Sequence, residues 1–296
     1  MSAEFELLQK DAEISPLSAH DFEQFRKLAY EKVGIDLRPG KEQLVSARLG
    51  KKMRELHIRS YKDYYRHVQD DKSGEALIAM IDALTTNHTS FFREAVHFEF
   101  LRQTILPALR KRDRISIWCA ASSTGEEPYS IAFSILEELG MEALPKLRIL
   151  ATDISTRVLG IAKKGAYSAE RFRDFPVQQL RRYLLRGDGQ WANWYLVRKE
   201  IRAAIAFERL NLMEQFSHAS SFPVIFCRNV MIYFDRPTQE SLVRRMAEFL
   251  EPGGYLLIGH AESLNGIDHC LQYVRPAVYR KPESGAFSSS RGQGKK

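Results

Sequence analysis

Hydrophobic positions follow one pattern up to about residue 85 and a different one beyond residue 113. In the first part, apolar side chains recur at three- and four-residue steps, as Phe22, Phe25, Ala29 and Val33 do. This is the spacing of a buried helix face. The same spacing recurs in two later stretches, residues 45–56 and 77–84. We therefore predict a small all-helical domain over residues 1–85, in which the first twenty residues form a loose lead-in.

Turn and capping residues bound the first of these helices. Asp21 lies near a plausible N-cap, because its side chain can accept hydrogen bonds from the free amides of a helix start. Gly34 and the Arg38-Pro39-Gly40 turn break the pattern after the helix. Residues 86–113 are then expected to form a linker and a connecting helix.

Beyond residue 113, short apolar runs alternate with helical stretches. The runs predict strands at residues 114–118, 147–151, 204–207, 222–226 and 255–258. Helices are predicted at residues 126–139, 155–164 and 236–250, and a turn is predicted at residues 252–254. Alternating strands and helices indicate a mostly parallel, doubly wound sheet. We assign residues 114–281 to this α/β domain.

Residues 165–203 interrupt the alternation of strands and helices. They contain two short runs with strand character, at 183–185 and 191–197, around a Gly187-Asp188-Gly189 turn. We predict a small antiparallel β-subdomain inserted after the second helix of the α/β domain. The final residues, 282–296, are basic and rich in Gly and Ser, which predicts a disordered tail.

Charge and cysteine content narrow the functional class without fixing it. The net charge of +7 favours an anionic partner and leaves nucleic acid, acidic protein and membrane surface open. No apolar run approaches the ~18 residues of a membrane span. The polar, acidic start of the chain lacks the features of a secretory signal. Three cysteines fit neither a metal site nor a disulfide framework, so we expect a cytoplasmic protein.

The candidate ligand site lies at the carboxyl ends of the predicted strands, where open α/β sheets bind ligands. The first strand leads into CAASSTGEEP at residues 119–128, where Gly125 and other small residues let a ligand approach the backbone beside a helix start. The dinucleotide motif GxGxxG is absent. Glu126 and Glu127 would repel a pyrophosphate and suit an ammonium or sulfonium group. Alternatively, these acids only offset the helix dipole.

Polar residues also follow the later strands. Asp153 follows the second strand, where nucleotide-binding sheets bind ribose hydroxyls. It or Ser155 can equally serve as a helix N-cap. The ends of the third and fourth strands carry Asn211, Leu212, Arg228, Asn229 and Tyr233. One polar strand end can be ordinary loop chemistry, but four in succession predict a ligand site.

The segment TTNHTSFFRE at residues 85–94 precedes the sheet. A simple linker would not need its two phenylalanines and Arg93. His88 is read as a local hydrogen-bonding residue, because no second His or Cys lies at metal-ligand spacing. We therefore expect no metal.

Residues 41–66 concentrate the basic excess of the chain. A solvated helix face would explain this charge, but we favour a docking surface for an acidic partner. The basic residues are Lys41, Arg48, Lys51, Lys52, Arg54, Arg59, Lys62 and Arg66.

Taken together, these segments resemble bacterial chemotaxis receptor methyltransferases of the CheR type. The resemblance covers residues 20–280 and rests on TTNHTSFFRE, WCAASSTGEEPYSIA, ATDIS, an Asn-Leu pair and CRNVMIYFD. It implies a helical N-terminal domain, an α/β domain that binds S-adenosylmethionine and an inserted antiparallel β-subdomain. The implied activity is methyl transfer to glutamate side chains of chemoreceptors during chemotactic adaptation, with S-adenosylhomocysteine as the second product.

The resemblance also assigns site residues by motif. Arg93 and Tyr233 would face the transferring methyl group as catalytic residues. Glu127 would hold the ammonium group of the cofactor, and Asp153 would hold its ribose. The implied lining of the cofactor site is Asn87, Thr89, Arg93, Glu127, Asp153, Asn211, Leu212, Arg228 and Asn229.

The partners implied by the family are the acidic methylation helices of the cytoplasmic part of chemoreceptors. Some members also bind the C-terminal peptide of the receptor through the β-subdomain. The Arg186-Gly-Asp-Gly189 turn resembles that tethering type.

The implied reaction needs no general base. A glutamate side chain has a reference pKa of about 4.3 and is already ionised near pH 7. An in-line displacement at the sulfonium methyl then depends on orientation and a dry site. Arg93 would position the carboxylate and Tyr233 would orient it by a hydrogen bond. Arg93 must not hold it too tightly, because stabilising the ground state does not raise the rate.

Three other functions carry different sequence signatures. A nucleic-acid methyltransferase would share the fold and suit the positive charge. Enzymes that act on exocyclic base nitrogens commonly have Asn or Asp, two prolines and an aromatic after the fourth strand, where this chain has RNVMIY. A sensor that binds the cofactor without turnover would not need Arg93 and Tyr233. A nicotinamide oxidoreductase would need the missing GxGxxG.

Overall fold

The computed structural model describes residues 14–86, 88–172, 181–216 and 221–283. The predicted lead-in up to residue 13 and the predicted tail from residue 284 lie outside the described residues. Within the described ranges, no helix is both long and apolar enough to cross a membrane.

The N-terminal region is helical, as predicted. Its helices are α1 (Ala19–Val33), α2 (Glu42–Glu55), α3 (Tyr61–Asp70) and α4 (Glu75–Leu84). Helix α3 is absent from the sequence prediction, because polar residues dominate its sequence. Its buried Tyr61 and Tyr64 nevertheless pack around Phe25, with ring centroids 6.2 and 5.9 Å from that ring.

The ends of α1 follow from local hydrogen bonds. The N-cap is Ser18, three residues before Asp21, so Asp21 lies near the cap as predicted. The Asp21 amide donates to the Ser18 hydroxyl at 3.1 Å, and the Ser18 amide donates to the Asp21 carboxylate at 3.4 Å. This reciprocal pair is a capping box, which satisfies two otherwise free amides. Gly34 ends the helix with a φ of +72°, a conformation that favours glycine.

The α/β domain adds further helices and all of the described strands. Helix α5 (Val96–Phe100) continues through a π-helical turn (Leu101–Ile105) into α6 (Leu106–Leu109). The later helices are α7 (Glu126–Leu139), α8 (Thr156–Lys164), α9 (Lys199–Ala203) and α10 (Arg236–Glu248). The strands are β1 (Ile115–Ala120), β2 (Leu147–Asp153), β3 (Ala166–Ser168), β4 (Leu184–Arg186), β5 (Trp194–Val197), β6 (Ile205–Arg209), β7 (Phe222–Cys227), β8 (Leu250–Ile258), β9 (Gln272–Arg275) and β10 (Val278–Arg280).

The main sheet has the order β6-β2-β1-β7-β8-β10-β9. Strands β6, β2, β1, β7 and β8 run parallel, which confirms the predicted doubly wound sheet. The chain reverses its direction of travel across the sheet between β1 and β7, so a crevice opens there at the carboxyl ends of the strands. The predicted turn at residues 252–254 is wrong, because those residues lie inside β8. The antiparallel strands β9 and β10 were not predicted.

The two faces of the sheet belong to two hydrophobic cores. Ile117 and Cys119 of β1 point into a core shared with α7 and the β-subdomain. Trp118 and Ala120 point into the other core, which contains residues of α10 and of all four N-terminal helices. This alternation is the two-residue period of a strand. The helical domain therefore packs directly on one face of the sheet.

A separate small antiparallel sheet forms within the region predicted as a β-subdomain. Among the described residues its strand order is β3-β5-β4, so β4 lies at an edge. Tyr167 pairs with Tyr195, and Leu185 pairs with Leu196. Strand β3 was not predicted.

Hydrogen bonds join the end of α1 to loops that follow strands of the main sheet. The Asn211 side-chain amide donates to the Lys32 carbonyl at 2.8 Å. The Asp36 amide donates to the Tyr233 carbonyl at 2.8 Å. The Tyr30 hydroxyl adds a 2.9 Å bond to a carboxylate at the start of α10. These bonds hold the helical domain over the carboxyl edge of the sheet.

The close approach at Gly34 predicts a stability difference. A Cβ atom on Gly34 would lie 2.4 Å from the Met213 sulfur, whereas one on Gly40, also at positive φ, would meet nothing within 4 Å. Gly40→Ala should lower the free energy of unfolding by about 1 kcal/mol through backbone strain alone. Gly34→Ala should lower it by about 2–3 kcal/mol, because crowding adds to the strain. Urea unfolding followed by circular dichroism measures both, and equal losses would mean that Met213 moves aside freely.

Candidate active site

A cleft opens between the helical domain and the carboxyl edge of the sheet. The empty space of the cleft, together with the open solvent at its mouth, is about 1000 Å³. The helical side contributes Val33, Ile35, Ile81, Asp82, Thr85 and Thr86. The α/β side contributes His88, Thr89, Arg93, Ala121, Ser122, Ser123, Glu127, Asp153, Ile154, Leu210, Asn211, Leu212, Arg228, Asn229, Val230, Tyr233 and Phe234. Apolar and polar groups therefore share the wall.

The loop after β1 brings the backbone close to this cleft. Ala121, Ser123 and Gly125 all have positive φ, at 62°, 48° and 96°. A Cβ on Gly125 would lie 2.8 Å from that of Ala162 in α8, so only glycine fits against this helix. Within the described residues, the buried Ser122 and Ser123 hydroxyl oxygens have no hydrogen-bond partner. Because buried polar groups are normally paired, these two unpaired hydroxyls are an exception in the wall of the cleft.

Asp153 lies at the end of β2, beside the loop after β1. Its carboxylate accepts hydrogen bonds from the Ser123 amide at 2.8 Å and the Ser155 amide at 3.0 Å. Loss of hydration nevertheless raises the pKa of Asp153 to about 6. The N-cap of α8 is Ser155, whose hydroxyl accepts from Val158, so capping does not occupy the Asp153 carboxylate. An acceptor in this position can bind the hydroxyls of a ribose.

Glu127 at the start of α7 is joined to a buried arginine. The Arg228 guanidinium, 1% exposed, donates to Glu127 from one terminal nitrogen. The Cys119 thiol donates to the other Glu127 oxygen at 3.2 Å. Burial and the neighbouring carboxylate raise the pKa of Cys119, so the thiol remains protonated. Both Glu127 and Arg228 line the cleft.

Glu94 completes this ion-pair cluster, a role that was not predicted from the sequence. Its carboxylate accepts from Arg228 at 2.9 Å, from the Asn229 side chain at 3.1 Å and from the His260 amide at 3.1 Å. Partial burial acts to raise the pKa of Glu94, but Arg228 and these hydrogen bonds lower it to about 2. Glu94 stands in the motif next to Arg93, but its partners lie more than 130 residues along the chain.

Glu94, His97 and His260 together resemble a group of metal ligands, because their candidate ligand atoms lie within 4.8 Å of one another. The Glu94 carboxylate, however, already accepts from Arg228, whose positive charge opposes a second cation. Burial and the charge of Arg228 also lower the pKa of His97 to about 3, so this ring is neutral.

Arg93 and Tyr233 both line the cleft. One Arg93 nitrogen donates to the His88 carbonyl at 2.8 Å, and the side chain is half-buried. The Tyr233 hydroxyl accepts from the Thr86 amide at 2.9 Å. Tyr233 is thereby fixed to the last residues of the helical domain, and both side chains border the space open to a ligand.

Asn211 and Leu212 form the wall after β6. The Asn211 oxygen accepts from the Met213 amide at 3.0 Å, while its amide nitrogen is used by the Lys32 carbonyl. Asn211 thus holds the wall against α1, and Leu212 adds an apolar surface. Thr89 also lines the cleft. The predicted site residue Asn87 lies outside the described residues.

Models of two known protein-domain families match the chain. The CheR methyltransferase all-alpha domain matches residues 20–85, and the CheR methyltransferase SAM binding domain matches residues 87–279. The first corresponds to the helices α1–α4, and the second covers the α/β domain. The cleft lies where the two regions meet.

Individual relatives are similar over almost the whole chain. Chemotaxis protein methyltransferase 2 of Pseudomonas aeruginosa is 42% identical over 260 residues, which are 88% of this chain and 92% of that protein. The chemotaxis protein methyltransferase of Klebsiella aerogenes is 41% identical over 92% of this chain and 93% of its own. That of Escherichia coli is 38% identical over 92% and 94%. This chain belongs to the CheR methyltransferase family and is an S-adenosylmethionine-dependent methyltransferase.

Proposed function

We propose that this protein transfers a methyl group from S-adenosylmethionine to glutamate side chains of chemoreceptors, forming methyl esters. The observation that carries the proposal is the meeting of Asp153, Glu127, Arg93 and Tyr233 around one cleft in a member of the CheR family. Relatives named chemotaxis protein methyltransferase support the same substrate class. The reaction would take place in the cytoplasm, where the methylated regions of chemoreceptors lie.

The residues of the cleft fit an S-adenosyl ligand. Asp153 would accept hydrogen bonds from the ribose, and Glu127 would hold the ammonium group. The apolar walls, such as Ile154 and Leu212, would cover the adenine and exclude water. When bound, the cofactor supplies an electrophilic methyl group on sulfur.

The transfer itself would depend on orientation. The receptor glutamate is already ionised near pH 7, so no group in the cleft has to remove a proton. Arg93 would position this carboxylate, and the Tyr233 hydroxyl would fix its angle of approach. Closing the cleft over the two reacting groups strengthens these contacts, because the local dielectric falls.

Acidic receptor helices would dock beside the mouth of the cleft. A groove between α2, α4 and α8 is lined by the basic residues Arg48, Lys51, Lys52 and Arg157, together with the acids Glu55, Glu75 and Asp82. Asp82 lines both this groove and the cleft, so the two are contiguous. A helix held by the basic side chains of α2 would therefore lie next to the reacting groups.

The C-terminal peptide of a receptor would bind the β-subdomain. Strand β4 is an edge strand, and an extended peptide can add to such an edge. Trp191 and Trp194 are 54% and 39% exposed, with ring centroids 5.9 Å apart. These exposed rings lie in and directly after the turn that joins β4 to β5, and they suit a peptide that carries apolar side chains.

The decisive test measures label transfer from methyl-labelled S-adenosylmethionine to receptor-containing membranes. Base-labile label on receptor protein is expected for a glutamate ester. Tyr233→Phe should lower transfer by about ten- to a hundredfold through misorientation, with cofactor affinity changed less than threefold. Tyr279→Phe is the matched control, because it also removes a hydroxyl that accepts from a backbone amide, outside the cleft.

The control should transfer label at the wild-type rate. Label on nucleic acid, or cofactor binding without label on receptors, would overturn the proposed substrate. Equal losses in the two tyrosine variants would remove Tyr233 from the reaction.

The raised pKa of Asp153 predicts pH-dependent cofactor affinity. Ribose hydroxyls donate hydrogen bonds to the ionised carboxylate. A protonated Asp153 must therefore lose its proton before the cofactor binds. Affinity for S-adenosylhomocysteine should be constant above about pH 7 and fall roughly tenfold per pH unit below about pH 6. Asp153→Asn should bind about 10–100-fold more weakly and lose this dependence. Calorimetry from pH 5 to 8 measures both, and an unchanged acid limb in the variant would assign it to another group.

The basic groove predicts salt-dependent recognition of the receptor. Lys51→Glu should raise the KM for receptor about five- to tenfold at low salt, and this difference should shrink near 0.5 M salt. Cofactor affinity should not change. Lys111→Glu, an exposed substitution ahead of the amino end of β1, is the matched control. An equal rise in the KM of both variants would indicate that the receptor is attracted by the overall positive charge of the protein. It would exclude specific binding of the receptor in this groove.

A further inference from the structure

Tyr233 lies at the end of a very short helical turn. The turn, Met231–Tyr233, is a single 3-10 turn after β7. So short a helix closes few hydrogen bonds of its own and is not stable alone. Its remaining backbone amides and carbonyls need partners from other parts of the chain. Those partners determine where the side chain of Tyr233 lies.

A buried carboxylate after β8 accepts hydrogen bonds from the amide side of this turn. Glu262 is 9% exposed. One of its oxygens accepts from the Ile232 amide at 3.2 Å. The other oxygen accepts from the Asn229 amide at 3.0 Å and from the Gly259 amide at 2.6 Å. Glu262 therefore joins the loop after β7 to the loop after β8.

A side-chain amide from α10 binds the carbonyl side of the same turn. The Gln239 nitrogen donates to the Met231 carbonyl at 2.9 Å and to the Phe234 carbonyl at 3.0 Å. One nitrogen can serve both carbonyls, because a side-chain amide has two N–H donors. Glu262 thus supplies acceptors to the turn, and Gln239 supplies donors.

Other contacts of Tyr233 come from the helical domain. Its hydroxyl accepts from the Thr86 amide at 2.9 Å, and its carbonyl accepts from the Asp36 amide at 2.8 Å. Tyr233 lines the cleft, whereas Glu262 and Gln239 do not. These two residues can therefore affect a ligand only through the groups that they hold.

We propose that Glu262 and Gln239 are positioning residues, which place the Tyr233 hydroxyl for methyl transfer by holding the turn Met231–Tyr233. The inference rests on the proposed function, in which this hydroxyl fixes the angle of approach of the receptor carboxylate. A misaligned carboxylate reacts more slowly even when it is bound equally well. Loss of either residue should therefore lower kcat and change the KM for receptor less.

A purely structural role predicts a different result. If the two residues only stabilise the fold, their loss should lower kcat by the same factor whether or not Tyr233 has its hydroxyl. If they act through that hydroxyl, their loss should matter little once the hydroxyl has been removed. A double-mutant cycle with Tyr233→Phe separates these roles.

The test measures kcat for transfer of labelled methyl from saturating S-adenosylmethionine to receptor-containing membranes. Glu262→Gln keeps the size of the side chain and replaces one acceptor oxygen by a nitrogen that cannot accept. It should lower kcat about five- to twentyfold alone and less than about twofold when Tyr233→Phe is already present. The KM for receptor should change less than about threefold.

Asp71→Asn is the matched control for Glu262→Gln. It also replaces a carboxylate that accepts from backbone amides, those of Ser73 at 2.9 Å and Ala76 at 2.7 Å, and Asp71 does not line the cleft. Its kcat should equal the wild-type value in both backgrounds.

Gln239→Leu tests the inference even if Glu262→Gln fails to fold, because it leaves the buried carboxylate and its amides in place. It should lower kcat about two- to fivefold, and again only when Tyr233 keeps its hydroxyl. An unchanged kcat, or an equal loss in both backgrounds, in either folded variant would overturn the inference. Absence of label on receptors with the wild-type chain would instead overturn the proposed function.

Discussion

The buried guanidinium of Arg228 is the constraint on which the active-site region depends. A charge removed from water must be paired, because an unpaired buried ion costs several kcal/mol. The partners of Arg228 come from separate parts of the chain: Glu127 from the first turn of α7, and Glu94 and the Arg93 carbonyl from the segment before α5. Satisfying one side chain therefore aligns the loops that carry most of the candidate site. The same requirement places Arg93 at the cleft, because its own carbonyl is one of the acceptors.

The second organising feature is the helical domain, which covers the cleft. An open doubly wound sheet provides a crevice but does not itself cover it. Asn211 and Tyr233 each contact both sides, through the Lys32 carbonyl and the Thr86 amide. Residues that were predicted to touch a cofactor thus also join the two domains. A ligand in the cleft would contact both domains, so its binding would favour their closed arrangement.

Much of this arrangement could be predicted from the sequence because it follows from local rules. Alternating strands and helices fixed the sheet type, and the topological rule for strand ends brought distant residues such as Asp153 and Arg228 to one cleft. Elements whose buried positions follow no regular period could not be predicted in this way. Strand β9 is exposed along its whole length and shows no alternation, and α3 hides its buried tyrosines among polar residues. Glu94 was missed because its role depends on partners that only the fold brings near.

One hydrophobic core extends across the boundary between the helical region and the α/β region. The chain divides into two family regions near residue 86, but the side chains do not divide there. Phe25 and Leu49 belong to the same buried cluster as Trp118 and Leu242. A cut at the sequence boundary would expose apolar surface on both pieces. Each region therefore covers apolar surface of the other, and the two are expected to stabilise each other in the folded molecule.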